Sequence, residues 1–107
     1  MILEIGCGHG IAVDKICRQL IRGKVVAIDR SAKMVAAAKR RNAAHLAAGR
    51  AEFHVASLER FNPGRRRFDA VLALRVRLFR DEPERARALV SRWLKPDARI
   101  VAEFDEP

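Results

Sequence analysis

Residues 2–10 read ILEIGCGHG: an apolar run broken by one acid meets three glycines at alternate positions, Gly6, Gly8 and Gly10. Glycine costs conformational entropy, so an alternating triplet belongs where the backbone turns sharply or where something approaches it closely. The run Ile2–Ile5 before the triplet reads as a buried strand. The residues after it, Ile11–Arg22, carry Val13, Ile16, Cys17, Leu20 and Ile21 at helical spacing before Gly23 stops them. The triplet is therefore a strand-to-helix turn.

Alternation of the same kind continues outward from that turn. Val25–Asp29 (VVAID) is a β-branched run ending in an acid, and Ser31 is placed to cap a helix reaching about Ala48, with Gly49 just past its end. That helix presents Met34, Val35, Ala38 and Leu46 on one face. Ala51–Ala56 (AEFHVA) reads as a third strand, and Ser57–Arg67 holds the turn signal Asn62-Pro63-Gly64 followed by three arginines. Phe68–Leu74 (FDAVLAL) is a fourth strand, and Glu82-Pro83 opens a helix to about Leu94. Lys95-Pro96-Asp97 turns the chain into a fifth strand, Arg99–Phe104. Strands alternating with helices predict an α/β fold on a parallel sheet, and strands that are apolar without strict alternation fit a sheet covered on both faces.

The bulk numbers bound what such a domain does. A chain of 107 residues, half of them apolar and 33% charged, has the composition of one globular domain, residues 1–107. It carries no stretch of membrane-spanning length and no secretory signal pattern, so a cytoplasmic protein is expected. Cys7 and Cys17 lack CxxC spacing, and His9, His45 and His54 complete no metal pattern, so neither a disulfide nor a metal site is expected. The formal net charge of +9 admits a nucleic-acid partner. The charge is spread along the whole chain, however, and aromatic residues are 6% with no tyrosine, which leaves little for stacking on bases.

In an open parallel sheet, ligands bind beyond the carboxyl ends of the strands, where the glycine turn lies. A helix amino end there adds partial positive charge. Asp29 closes the neighbouring strand, and an acid so placed accepts hydrogen bonds from the vicinal hydroxyls of a ribose. A ribose-containing cofactor follows. A dinucleotide fold wants G-x-G-x-x-G, yet the position of its third glycine is Ile11.

The spacing acid-x-G-x-G-x-G, here E-I-G-C-G-H-G at Glu4–Gly10, resembles the first motif of the class I methyltransferases that use S-adenosylmethionine. The resemblance continues through VVAIDRSAKM (25–34), AEFHVASLERF (51–61), FDAVLAL (68–74) and WLKPDARIVAEF (93–104), in order and over nearly the whole chain. It implies a three-layer Rossmann-like fold, sheet order 3-2-1-4-5, with helices on both faces. It also implies S-adenosyl-L-methionine as cofactor, S-adenosyl-L-homocysteine as product, and methyl transfer by in-line displacement to an acceptor, a small molecule before a nucleic acid. By that resemblance Gly6, Cys7, Gly8 and Gly10 pass under the methionine part and Glu4 lies near its ammonium. Asp29 holds the ribose, Arg30 and Met34 sit beside the adenine pocket, and Ser57, Leu58 and Leu74 complete the set. Where the family often has an acid for the adenine amino group, this chain has Ser57, whose hydroxyl accepts a bond in its place.

A sulfonium is already a good leaving group, so alignment of the acceptor carries most of the catalysis and no general base is assigned. After the fourth strand, the N/D-P-P-Y/F segment of amine-directed relatives is absent; the chain has Leu74-Arg75-Val76-Arg77. Arg75 and Arg77 lie where an acceptor approaches and suit an acidic one, or pair with neighbouring acids. His9 reads as loop filler, Cys7 as a small packing residue, Arg65-Arg66-Arg67 as a solvated loop, and Asp81, Asp105 and Glu106 as surface acids. Family members usually carry helices before the first strand and a strand pair after the fifth. Without that pair the fifth strand is a bare edge, which invites a second copy or a completing partner. Two alternatives stay open: a cofactor-binding remnant or subunit without turnover, and an RNA methyltransferase.

Overall fold

The computed structural model describes residues 1–103, and Phe104, Asp105 and Glu106 lie outside the described residues. The strands are β1 (Ile2–Ile5), β2 (Val25–Asp29), β3 (Ala51–Val55), β4 (Phe68–Leu74) and β5 (Leu94–Glu103). They form a five-stranded sheet in the order β3-β2-β1-β4-β5, and every pairing is parallel. Order and direction match the sequence expectation. The helices are α1 (Ile11–Gln19), α2 (Ala32–Arg41), α3 (Ala43–Ala47), α4 (Arg77–Asp81) and α5 (Pro83–Ser91). Among the described residues, no helix is long and apolar enough to cross a membrane.

Side chains alternate across the sheet and divide the core in two. Leu3, Ile5, Val26, Ile28, Val71 and Ala73 point to one face and pack under Phe79 of α4, Ala86 and Val90 of α5, and Leu58, Phe61 and Trp93. Val25, Ala27, Ala51 and Phe53 point to the other, against Val13 and Cys17 of α1 and Val35 and Ala38 of α2. β2 thus carries apolar residues on both sides, which is why it reads as a continuous run, whereas β1 buries Glu4 on its second face.

Several boundaries differ from expectation, each for a local reason. α1 stops at Gln19 rather than Arg22, because Leu20 turns extended and Ile21 is left almost fully exposed. The helix expected from Ser31 to Ala48 is broken at Asn42, whose side-chain amide is drawn to carbonyls of Gly10 and Ala38. Ser31 caps α2 as expected, its hydroxyl accepting from the Met34 N–H at 3.2 Å. α4 is a five-residue helix that buries Phe79, too short for its period to show in the sequence.

β5 is longer than the expected Arg99–Phe104, and α5 ends at Ser91 rather than Leu94. Leu94 pairs with Phe68, and the next pair is Arg99 with Ala70, so residues 95–98 stand opposite Asp69 alone. The expected Lys95-Pro96-Asp97 turn is this bulge. Pro96 has no N–H for a ladder and is tolerated there.

Candidate functional site

The glycine turn is held from below by the neighbouring strand. The N–H groups of Gly6 and Cys7 both donate to the Ile28 carbonyl, at 2.8 and 3.0 Å, and the Gly10 N–H donates to the Cys7 carbonyl at 3.0 Å. Asp29 fixes the turn from the side: Oδ2 accepts from the Gly8 N–H at 2.9 Å and Oδ1 from the Ser31 N–H at 2.8 Å. One carboxylate therefore ties the loop to the start of α2. Each of its oxygens keeps a second lone pair for a ligand hydroxyl.

The three glycines are not equivalent. A Cβ on Gly8 would meet nothing within 4 Å, so its open face is where a ligand has room. A Cβ on Gly6 would touch Val76 at 3.1 Å. A Cβ on Gly10 would collide with Asn42 at 2.5 Å and Ala38 at 2.9 Å. At Gly10 the need for glycine thus comes from the protein itself, because α2 crowds that side of the loop.

Glu4 stands on β1 below the turn with 2% of its surface exposed, and its Oε1 has no hydrogen-bond partner among the described residues. Burial, and then the nearby Asp29 charge, push its carboxyl up to about 8. Cys7 is buried against α1, and burial followed by the Glu4 and Asp29 charges pushes its thiol up to about 12. It is an inert packing group rather than a nucleophile. Among the described residues, no three His, Cys, Asp or Glu side chains converge as a metal site would.

A cleft of about 620 Å³ opens beside the turn, at the carboxyl ends of β1, β2 and β4. It brings Gly6, Asp29, Arg30, Leu58 and Leu74 together. Glu4, Cys7, Gly8, Gly10, Met34 and Ser57 lie off its wall; the Met34 N–H is engaged by the α2 cap, and the Ser57 hydroxyl accepts from the Arg60 N–H at 3.3 Å. The far wall is Arg75, Val76, Arg77 and Leu78, leading into α4. Arg75 is the one non-glycine with positive φ among the described residues, at 59°. Such a conformation costs about 1–3 kcal/mol and persists where surrounding structure enforces it; here the Arg75 N–H is held by the Glu103 carbonyl at 2.8 Å. Asp81 and Glu82 also line the cleft, paired with Arg80 at 2.9 Å and Arg85 at 3.5 Å.

Sequence reasoning placed Arg75 and Arg77 at this approach but missed the helix α4 and Asn42. The signal for Asn42 was present, since an asparagine inside RRNAAH competes for backbone carbonyls and interrupts helices.

Residues 2–97 match the protein family described as Methyltransferase domain. Malonyl-(acyl-carrier protein) O-methyltransferase of Halalkalibacterium halodurans is 25% identical over 100 residues, covering 94% of this chain and 37% of that relative. The crystal structure of the (4+2)-cyclase SpnF is similar at a TM-score of 0.75 and 27% identity, over 89% of this chain and 35% of that one. The plantazolicin methyltransferase BpumL, in complex with SAH, gives a TM-score of 0.78 at 23% identity, over 94% of this chain and 38% of that one. The chain thus spans little more than a third of each of these proteins.

Proposed function

The chain belongs to the methyltransferase domain family, and on that footing we propose that residues 1–107 are the S-adenosylmethionine-binding domain of an enzyme methylating a small-molecule acceptor. The observation that carries this reading is the buried Glu4 carboxyl with an unpartnered oxygen beneath a loop whose Gly8 face is open. A buried, unpaired carboxyl is costly until a cation arrives, and the open face leaves room for one. The residues present fit the cofactor.

Gly6, Gly8 and Gly10 would carry the methionine part and Glu4 its ammonium. Asp29 would hold the ribose hydroxyls on its free lone pairs. Arg30, Leu58 and Leu74 would border the base. When bound, the cofactor supplies a methyl on a positively charged sulfur, a good leaving group. The work left to the chain is to orient the reacting groups and exclude water, since alignment alone carries a large share of such a barrier. The acceptor would enter by the cleft between Leu74 and Leu78, with Arg75 and Arg77 placed for an acidic group. A malonyl-(acyl-carrier protein) O-methyltransferase among the relatives supports a carboxylate acceptor.

Similarity to a chain described as a cyclase favours a second reading, a domain that binds its ligand without methyl transfer. Calorimetric titration with S-adenosylmethionine and S-adenosylhomocysteine tests the first step. Binding by the wild type that Gly8→Val abolishes is the expected result; a folded wild type that binds neither compound overturns the reading. Transfer of a labelled methyl to a small dicarboxylic acid, or its absence despite binding, separates the two readings.

A further inference from the structure

Asn42 is wholly buried at the junction of α2 and α3. Its amide nitrogen donates to the Ala38 carbonyl at 2.8 Å and to the Gly10 carbonyl at 3.1 Å. The first bond stays within the helix; the second crosses to the glycine loop. The carbonyls fix which way the amide points, because only its nitrogen donates. Gly10, at φ +81°, leaves the space that Asn42 fills.

We propose that Asn42 is a positioning residue for the cofactor site, fastening the glycine loop to α2 so that Gly8 keeps its open face toward the ligand. The loop is then held at two points two residues apart: Asp29 takes the Gly8 N–H and Asn42 takes up the Gly10 carbonyl. Stability alone does not account for this side chain. Its Oδ1 is buried without a partner among the described residues, and an unsatisfied buried acceptor is a cost that an alanine would not carry. Both carbonyls also have other donors: the Asn42 N–H reaches Ala38 O at 3.0 Å, and the Asp14 N–H reaches Gly10 O at 3.1 Å. What Asn42 adds is a direct tie from the Gly10 carbonyl to the far end of α2, beside the Asp29 tie to its start.

The inference rests on the reading that this loop holds the cofactor, and the test separates the two. Asn42→Ala and Asn42→Ser are compared with wild type by thermal melting, amide hydrogen exchange and titration with S-adenosylhomocysteine. Serine keeps a hydroxyl for the carbonyl four residues back but is too short to reach Gly10, so it removes only the crossing bond. Both variants are expected to stay folded, to exchange the Gly8 and Gly10 amides about tenfold faster, and to bind about tenfold more weakly, the scale of one lost hydrogen bond. β4 amides should keep their rates. A merely structural role would lower the melting temperature and leave affinity unchanged, which overturns the proposal. Unchanged loop exchange overturns it as well, and that arm decides even if the wild type proves not to bind.

Discussion

Glu4 makes a prediction that can be counted in protons. Its carboxyl is pushed up to about 8, first by burial and then by the Asp29 charge. At pH 7 a group with that value is protonated roughly nine times in ten. A cationic ammonium beside it favours the carboxylate, so binding S-adenosylhomocysteine at pH 7 should expel about 0.9 of a proton per site. The Cys7 thiol beside Glu4 stays neutral across the range and adds nothing to this count. Titrations in phosphate and in Tris, whose ionisation heats differ, read the proton number directly. Affinity should also rise about tenfold per pH unit from 6 to 7.5, where the ligand amine keeps its own charge. The same carboxyl acts on stability with the opposite sign. Because the folded value lies above the ordinary 4.5, its contribution is fully present below pH 4.5 and is lost as pH rises toward 8. The loss amounts to about 3 kcal/mol by pH 7. Glu4→Gln should therefore match wild type near pH 4, gain on it steadily toward pH 7, and bind with no proton release. Equal heats in the two buffers, from a wild type that binds, would refute the reasoning.

Four further expectations concern the loop and the edge of the sheet. Gly8→Ala meets no neighbour and should cost only about 1 kcal/mol for its left-handed backbone, yet weaken S-adenosylhomocysteine binding more than tenfold. Gly10→Ala drives a methyl onto Asn42 and Ala38 and should cost about 3 kcal/mol in a denaturant melt. Asp29→Asn preserves shape but turns an amide N–H toward one of two backbone N–H donors, so titration should show at least a tenfold loss of affinity. On β3, burial pushes Glu52 up, but bonds from His54, Lys24 and Arg66 outweigh it and bring its carboxyl down to about 2. That stabilisation is present above pH 4.5 and lost as pH falls toward 2. Acid titration of wild type against Glu52→Gln should show a difference of about 2 kcal/mol disappearing over that window.

Parallel strand direction and the glycine turn were legible because each rests on local chemistry, whereas the strand order was available only through the family resemblance. Three glycines after an apolar run, β-branched VVAID and nearly unbroken FDAVLAL leave few alternatives once the elements alternate. What stayed hidden depends on partners distant in sequence. Nothing local to Gly10 tells that α2 crowds it while Gly8 faces open space. Asp29 was legible as a ribose acceptor, but its grip on the Gly8 N–H appears only when β1 and β2 lie side by side. α4 escaped because five residues are less than two helical turns, and the 95–98 bulge because a proline turn and a proline bulge look alike in sequence. Ser57 was expected on the binding wall by analogy with an acid, and its shorter side chain caps the next turn instead.

The strand order carries a consequence for how the chain is made. Of the five strands β1 is synthesised before the others, and it lies at the centre of the sheet. Its β2 side closes early, through a neighbour a short helix away. Its other side waits for Phe68–Leu74, more than half the chain later. Until then an apolar strand keeps a row of open N–H and C=O groups, the kind of edge that captures other chains. Folding of this domain on the ribosome should therefore be limited by the arrival of β4. A pause in translation just before residue 68 would harm the yield of soluble protein more than one placed after β5.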